Sequence, residues 1–568
     1  VSLVVQLICT ALLLKSNQGN LIVPHAEDCA MAPFVLPCAA WMHAHGQGEH
    51  VPFLQACWDD PFNDVPRLVY ADWLDDHGNS ERASYIRQAC AAEAEPFLPT
   101  RLNYRESALE RPVEAALKKN LRRWLPGIVP RERSLVNWER GLPCGVFLHE
   151  PKDWDAVPSL VERLPIFKLG MHVNSWVANR ARRAKVAPSL VGLRVLNLAW
   201  FETLRTTERL TLLFDHTPHL LRLQTLLTAH ANGILTALQN SSAAIRLREL
   251  NWSDLTRLDA TTSRLLATAP VFAHLERVVF DECEHYENFV FADWLGSSHL
   301  AHCQNLNFFE TPIPTSSLAA LANNPAVRSL RHLRLYEPKP AGLAALVESP
   351  HLLALETLDL ASARCQPEPL RRLATHPQWQ HLRRLGLNSA RLSAACCAAL
   401  AAGPLLGRLR ELDLSETGLT AAKLVPLLEH PGAVNWSRLS LGFNRLSAAV
   451  GTLLAARPSW NFTHLGLLRT GCGAGPLELL STGRFPQMRL IDLTSNRMAR
   501  IRLGKQWPAT LRWLDLTDTH LPASAWDALL DVAEAQPQLR IQSTTAEVPD
   551  RVQTRLAHSS AQDQIELV

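Results

Sequence analysis

From about residue 160 onward one pattern recurs: an apolar residue, two others, an apolar residue, one other, an apolar residue. It reads LRVLNL from Leu193, LRELNW from Leu247, LERVVF from Leu275 and LRHLRL from Leu330. It continues as LETLDL from Leu355, LRRLGL from Leu382, LRELDL from Leu409 and LRWLDL from Leu511. Weaker copies start at Leu164, Leu223, Cys303, Trp436, Phe462 and Met488. The fourteen starts are separated by 23 to 30 residues, with a mean near 27. A fixed period of that length means stacked units, each too small to bury its own apolar face.

Each unit divides in two. A short strand with side-chain period two puts its second and third apolar positions on one face, inward. The segment that follows, such as LSAACCAALAAGPLL after Arg391, has helix-forming composition and helical apolar spacing, with Gly403-Pro404 to end it. Asparagine suits the turn after the strand, because its amide bonds backbone groups left unpaired there. Trp436, Leu439, Leu441, Asn444 and Leu446 fit L-x-x-L-x-L-x-x-N-x-L, as do Met488, Ile491, Leu493, Asn496 and Met498. Elsewhere Thr417, Thr470, Thr519, Cys283 and Ala390 take the asparagine slot, and Ala390 predicts a less satisfied turn.

On these residues the chain resembles the leucine-rich-repeat family over residues 161–545, about fourteen repeats. Its long period and Ala/Leu-rich second halves resemble the ribonuclease-inhibitor-like class. The resemblance implies an α/β fold, a horseshoe-shaped solenoid with one parallel strand and one helix per repeat. A small all-helical domain precedes it.

That domain is expected over residues 51–100. Phe53, Leu54, Cys57 and Trp58 form one short helical face, stopped at Asp60-Pro61. Asp64 before Pro66 is in the order for an N-cap and a first-turn proline. Leu68, Ala71 and Leu74, with Val69 and Trp73, give the second helix an apolar side; Gly78 ends it, and Asn79 or Ser80 can cap a third lined by Ala83, Ile86 and Ala89. The DDPFNDVPRLVYADWLDDHG run and the following RASYIRQ resemble the repeat-companion domain of certain bacterial proteins. That family usually has Glu-Phe where Ser84-Tyr85 stands here. WERGLPCGVFL, Trp138 to Leu148, resembles its bridge into the repeats, giving a linker over 101–160. Residues 1–50 read as a disordered extension or a misassigned start, and 546–568 as a polar tail.

With 47% hydrophobic and 20% charged residues the chain can build a large core. Its formal charge of +3 over 568 residues gives no broad electrostatic case for nucleic acid. The apolar VSLVVQLICTALLL is too short for a membrane-spanning helix, which needs roughly twenty residues, and has no charged segment before it. Twelve scattered cysteines, without a CxxC pair, point to a reducing, cytoplasmic compartment.

Candidate chemistry is thin. Asp72, Asp75, Asp76 and His77 invite an acid–base reading, but they fall largely outside the apolar stripe of their helix, as solvated or capping groups do. His43, His45, Glu49 and His50 lie in a Gly-containing lead-in; Cys283 of DECEHYE falls in a turn slot. The basic runs NRARRAK (Asn179 to Lys185) and LKKNLRRW (Leu117 to Trp124) lack interleaved aromatics and read as solvated faces or acidic-partner contacts. Walker, GxSxG, HExxH and kinase motifs are absent from the sequence. No catalytic residue, metal or cofactor is therefore expected.

Alternation along the strands places Arg277, Val279 and Asp281; Asn305, Asn307 and Phe309; His332, Arg334 and Tyr336; and Arg384, Gly386 and Asn388 outward on the concave side. Glu411, Asp413 and Ser415, then Trp513, Asp515 and Thr517, follow. The expected partner-binding residues are Arg277, Phe309, His332, Arg334, Tyr336, Arg384 and Trp513, an aromatic and cationic zone of the types favoured in binding hot spots. Asp359, Asp413, Asp492 and Asp515 recur at one position and predict a separate acidic ladder. The function expected is a non-enzymatic scaffold that binds a protein partner. The alternatives are an enzyme with its site in the N-terminal helical region and repeats that recruit substrate, or a regulator occluding a partner enzyme.

Overall fold

The apolar triplets of the repeats become strands only three to eight residues long, too short to stand except side by side. A computed structural model describes residues 35–567 except 62, 93–110, 172–184, 191, 199–213, 215–219, 221, 229–230, 241–244, 254–259 and 284–289. The expectations for residues 1–34, for NRARRAK up to residue 184 and for the latter half of DECEHYE lie outside the described residues. Among the described residues one sheet of 18 strands runs through the chain. Its first pair, Val136–Glu139 and Leu142–Phe147, is antiparallel. From there each strand pairs in parallel with the next, through His332–Tyr336, Thr357–Ala361, Arg384–Gly386 and Glu411–Asp413, to Ile565–Leu567. The fold is a leucine-rich-repeat solenoid preceded by a helical stretch.

The helices return the chain from one strand to the next and bury one side each. Helix Ala394–Ala401 buries Cys396, Cys397, Ala399 and Leu400, and Ser393 caps it by accepting from the Cys396 N–H. Helix Ala421–Glu429 buries Leu424, Leu427 and Leu428. Inward leucines from the strands meet these faces in one continuous core that runs from Leu125 to Ile565.

Two devices recur at the ends of the strands in the later repeats. Asn444 donates to the carbonyls of Leu414 (2.7 Å) and Leu441 (2.9 Å) and accepts from the Leu419 N–H (2.9 Å), stitching one repeat to its neighbour. Asn496 does the same two layers on. Thr417, Thr470 and Thr519 each make the short bond to the carbonyl three residues back, at 2.7, 2.8 and 2.6 Å, and Thr417 and Thr470 also donate to the Oδ1 of Asn444 and Asn496 at 3.2 and 3.3 Å. One residue before this slot the backbone is left-handed in ten successive repeats, from Glu282 (φ 53°) through Glu416 (φ 59°) to Asp518 (φ 57°). Such a conformation costs a non-glycine residue roughly 1–2 kcal/mol. The turn is held because its N–H reaches the next repeat, as from Ser389 to the Ser415 carbonyl and from Glu416 to Gly442, both at 2.9 Å.

The helical stretch comprises α1 (Ala39–Ala44), α2 (Val51–Asp59), α3 (Val65–Asp76), α4 (Ser80–Ala92) and α5 (Arg111–Trp124). Its second core joins Leu36, Leu54, Trp58, Tyr70, Ile86 and Trp124 to Leu142, Phe167 and Val195 of the first repeats. Trp58 is the main bolt: its Nε1 donates to the Ile166 carbonyl at 3.4 Å, and Arg194 lies 5.2 Å over its ring.

Several expectations need correction. Residues 35–50 are structured, with Leu36, Cys38, Ala39 and Met42 buried, so the ordered chain begins before 51. The expected linker already carries two strands of the sheet, and the expected tail carries helix Asp550–Leu556 and the last strand. Asp64 does not cap α3. Its carboxylate accepts from Arg140 at 2.7 Å, while Asn63 accepts the Val65 N–H at 3.0 Å. The buried side of α3 is Arg67, Tyr70, Ala71 and Leu74; Leu68 and Val69 are exposed. Arg67 tolerates full burial because it donates to the carbonyls of Asn63 (2.8 Å) and Pro61 (2.7 Å).

Candidate functional site on the concave face

The sheet register lines the outward residues into rows. One row runs Glu249, Arg277, Asn305, His332, Thr357, Arg384, Glu411, Arg438. Its charges neutralise one another: Arg277 meets Glu249 at 3.3 Å, and Arg384 and Arg438 both meet Glu411 at 3.4 Å. His332 Nδ1 lies 3.2 Å from Thr357 Oγ1, and burial pushes its pKa down to about 4, leaving it neutral.

The next row holds Arg334 beside Asp359. The guanidinium Nε is 3.1 Å from the Asp359 carboxylate, and its Cζ lies 4.2 Å from the centroid of the Phe309 ring. Asp359 is buried, and burial raises its carboxyl against the opposing pull of Arg334. Phe309 reaches this place through an irregularity in its strand, where the pairing with the next strand slips between Asn307 and Pro312 and Glu310 turns left-handed (φ 45°). Tyr336 lies beside the slip, half-buried, its phenol raised by burial and by Glu337 and Glu310.

Thus Arg277, Phe309, His332, Arg334, Tyr336 and Arg384 are brought to one continuous face. Trp513 is not part of an open surface: it is 2% exposed, flanked in register by Leu490 and Arg540. The aspartate ladder is corrected likewise. Asp359, Asp413, Asp492 and Asp515 are all buried, and three of them accept the N–H two residues on: Ser415 at 2.9 Å, Thr494 at 3.0 Å and Thr517 at 3.1 Å. Burial pushes the Asp413 carboxyl up to about 6.

Arg87 gathers the acids of the helical stretch, meeting Asp72 at 2.6 Å and Asp75 at 2.5 Å, and so ties α3 to α4. His77 instead holds the Trp73 carbonyl at 2.8 Å and stacks on its ring. The histidines of the lead-in diverge, His45 to the Trp41 carbonyl and His50 to the Tyr70 hydroxyl, both at 2.8 Å. Cys283 sits in its turn slot, its N–H donating to Thr311 Oγ1 at 3.1 Å. In LKKNLRRW, Asn120 (2.8 Å) and Arg123 (2.7 Å) both engage Glu81. One group among the described residues has metal-ligand composition: Asp518, His520 and Glu547. Glu547 is already engaged there, by His520 Nδ1 at 2.5 Å and the Thr519 N–H at 3.1 Å.

Sequence reasoning missed Glu249 and Glu411 as partners of the arginines. Their signal was present: both stand at the repeat position that Arg277 and Arg384 occupy one layer away.

No protein-family model matches the chain, and no curated protein does. Among solved structures it is similar to TLR13 of a TLR13–ssRNA13 complex, at 14% identity over 64% of this chain and 59% of that one (TM-score 0.36). It is also similar to a chain of the yeast Rad7–Elc1 complex, at 14% identity over 77% of this chain and 94% of that one (TM-score 0.36). A leucine-rich-repeat protein of Leptospira interrogans shares 17% identity over 63% of this chain and 97% of its own (TM-score 0.34).

Proposed function

We propose that the chain is a non-enzymatic scaffold that binds a protein partner on the concave face of its repeats. The observation that carries this reading is the Phe309–Arg334–Tyr336 zone, where an aromatic and a guanidinium are fixed in place before any partner arrives. A side chain already held loses little entropy on binding, so such a zone gives affinity at low ordering cost. The surrounding row of mutually neutralised charges leaves aromatic rings as the anchors and charge as the source of register. The long period supports placing the solenoid in the ribonuclease-inhibitor-like class. The DDPFNDVPRLVYADWLDDHG run supports reading the helical stretch as a bacterial repeat-companion domain, and the cysteine pattern supports a cytoplasmic setting.

The test is affinity capture from native extract with the intact chain and with the double variant Phe309→Ser, Tyr336→Ala, both first shown to melt alike. A protein captured by the intact chain and lost by the variant supports the reading. Equal capture by both overturns the concave zone as the binding site. Arg334 is left unchanged because its removal would unpair Asp359 and confuse folding with binding.

A further inference from the structure

A cavity of about 80 Å³ opens where the helical stretch meets the first repeats, lined among others by Trp41, His50, Tyr70, Arg82 and Trp124. Three arginines are among its lining residues, Arg82, Arg123 and Arg163, and no acidic residue is, among the described residues. Two of the three have acids outside the cavity: Arg123 meets Glu81 at 2.7 Å, and Arg163 meets Glu132 at 3.8 Å. Arg82 differs. Its side chain has no ion pair or hydrogen bond among the described residues, its Nε is buried without an acceptor, and the Tyr70 ring lies 5.9 Å away.

Trp124 is the second orphan donor. The residue is 5% exposed, and its indole Nε1–H is buried with no acceptor. The Tyr70 hydroxyl is already engaged with His50 at 2.8 Å. Indole N–H groups without an acceptor recur in this chain, at Trp252, Trp294 and Trp379 among others, so the Trp124 N–H alone marks nothing. What sets this wall apart is that the orphan donor shares a cavity with the unpaired Arg82 cation, and together they describe a place for an acceptor. A neutral acceptor would quench the donors but leave the charge; an anion does both.

We propose that this cavity binds a small oxyanion, a carboxylate or phosphate group, between the Arg82 guanidinium and the Trp124 indole N–H. Trp41 and Tyr70 add aromatic surface to the lining, which lowers the local polarity around such bonds. The site is remote from the concave zone and stands independently of the partner proposed there.

The test uses the full chain with ¹⁵N-labelled tryptophan. The Trp124 indole N–H signal is assigned by its disappearance in Trp124→Phe, and the protein is titrated separately with inorganic phosphate, acetate, acetamide and chloride. Phosphate or acetate should shift that signal saturably, while neutral acetamide, and chloride at matched ionic strength, should not. Whichever anion acts assigns the group. Arg82→Gln should weaken the response roughly tenfold or more, the loss of one charge-assisted bond. Should that variant fail to fold, Arg82→Lys serves: it keeps the charge but cannot grip an oxyanion with two parallel N–H groups, so a measurably weaker response is then expected. No saturable shift, an equal shift with chloride, or an undiminished response in the folded Arg82 variant overturns the proposal and leaves a cavity filled by water.

Discussion

Arg334 is clamped between Phe309 and Asp359, with its Cζ 4.2 Å from the ring centroid and its Nε 3.1 Å from the carboxylate. The pair with Asp359 is largely buried, at 16% and 6% side-chain exposure, and the other carboxylate oxygen, Oδ1, has no hydrogen bond among the described residues. Removing the cation therefore strands a buried acid. Arg334→Ala should cost about 3 kcal/mol, and the double variant Arg334→Ala, Asp359→Ala should recover much of it. A double-mutant cycle from denaturant melts measures this. Additive losses would mean that the pair does not interact across the sheet.

The ladder under the strands gives a second expectation. Asn444 serves two carbonyls and one backbone N–H in a slot where the residue is almost fully buried. Asn444→Ala should destabilise by roughly 2–4 kcal/mol, since several buried backbone groups lose their partners together. Asn444→Thr should cost less, because threonine can keep the bond to the carbonyl three residues back that Thr417 and Thr470 make in their own repeats. Equal losses for the two substitutions, read by chemical denaturation, would show that the slot is held by packing alone.

How much of this was written in the sequence depends on distance along the chain. Strand alternation and the asparagine slot are local, so Leu412, Leu414 and Asn444 could be placed without coordinates. Burial on the concave side is not local. Asp413 and Trp513 point outward from their strands as alternation requires, yet neighbouring layers and the turn N–H groups close over them. The first parallel strand and the last escaped notice because LPCGVF and IEL lack the leucine pattern; they end the parallel array, where a repeat layer is needed on one side only. The cavity at Arg82 was illegible for a further reason, since its walls come from α1 to α5 and from Pro143 and Arg163 to Pro165, and exist only once these are packed together.

Gly141 marks where the helical stretch leans on the first hairpin. Its φ is +82°, and an added Cβ would stand 2.6 Å from the Ile86 Cα, a backbone atom that cannot rotate away. Gly141→Ala should combine left-handed strain with a backbone clash and loosen α4 by about 2 kcal/mol or more. Hydrogen exchange of the Ser80–Ala92 amides reads this locally, while the amides of strands beyond Arg384 should keep their protection. Unchanged exchange in α4 would mean that the hairpin can move away as a unit.

Two titrating groups on the concave face should respond to pH with opposite sign. The Asp413 carboxyl is raised by burial from 3.8 to about 6, so its protonated form favours the folded chain. That contribution is complete below about pH 4 and is lost as pH rises through 6. His332 is lowered by burial from 6.5 to about 4, so its neutral form favours folding; that contribution is complete above 6.5 and is lost as pH falls through 4. Melts at pH 7.5 and pH 5 separate the two. Asp413→Asn keeps an acceptor for the Ser415 N–H without the buried charge. It should be more stable than the parent at pH 7.5, by about 1–3 kcal/mol, with the gap narrowing at pH 5. His332→Gln should show the reverse trend: whatever its cost at pH 7.5, the parent loses ground to it on acidification. A gap for Asp413→Asn that widens toward pH 5 would mean that the carboxylate, not the acid, is the form the fold prefers.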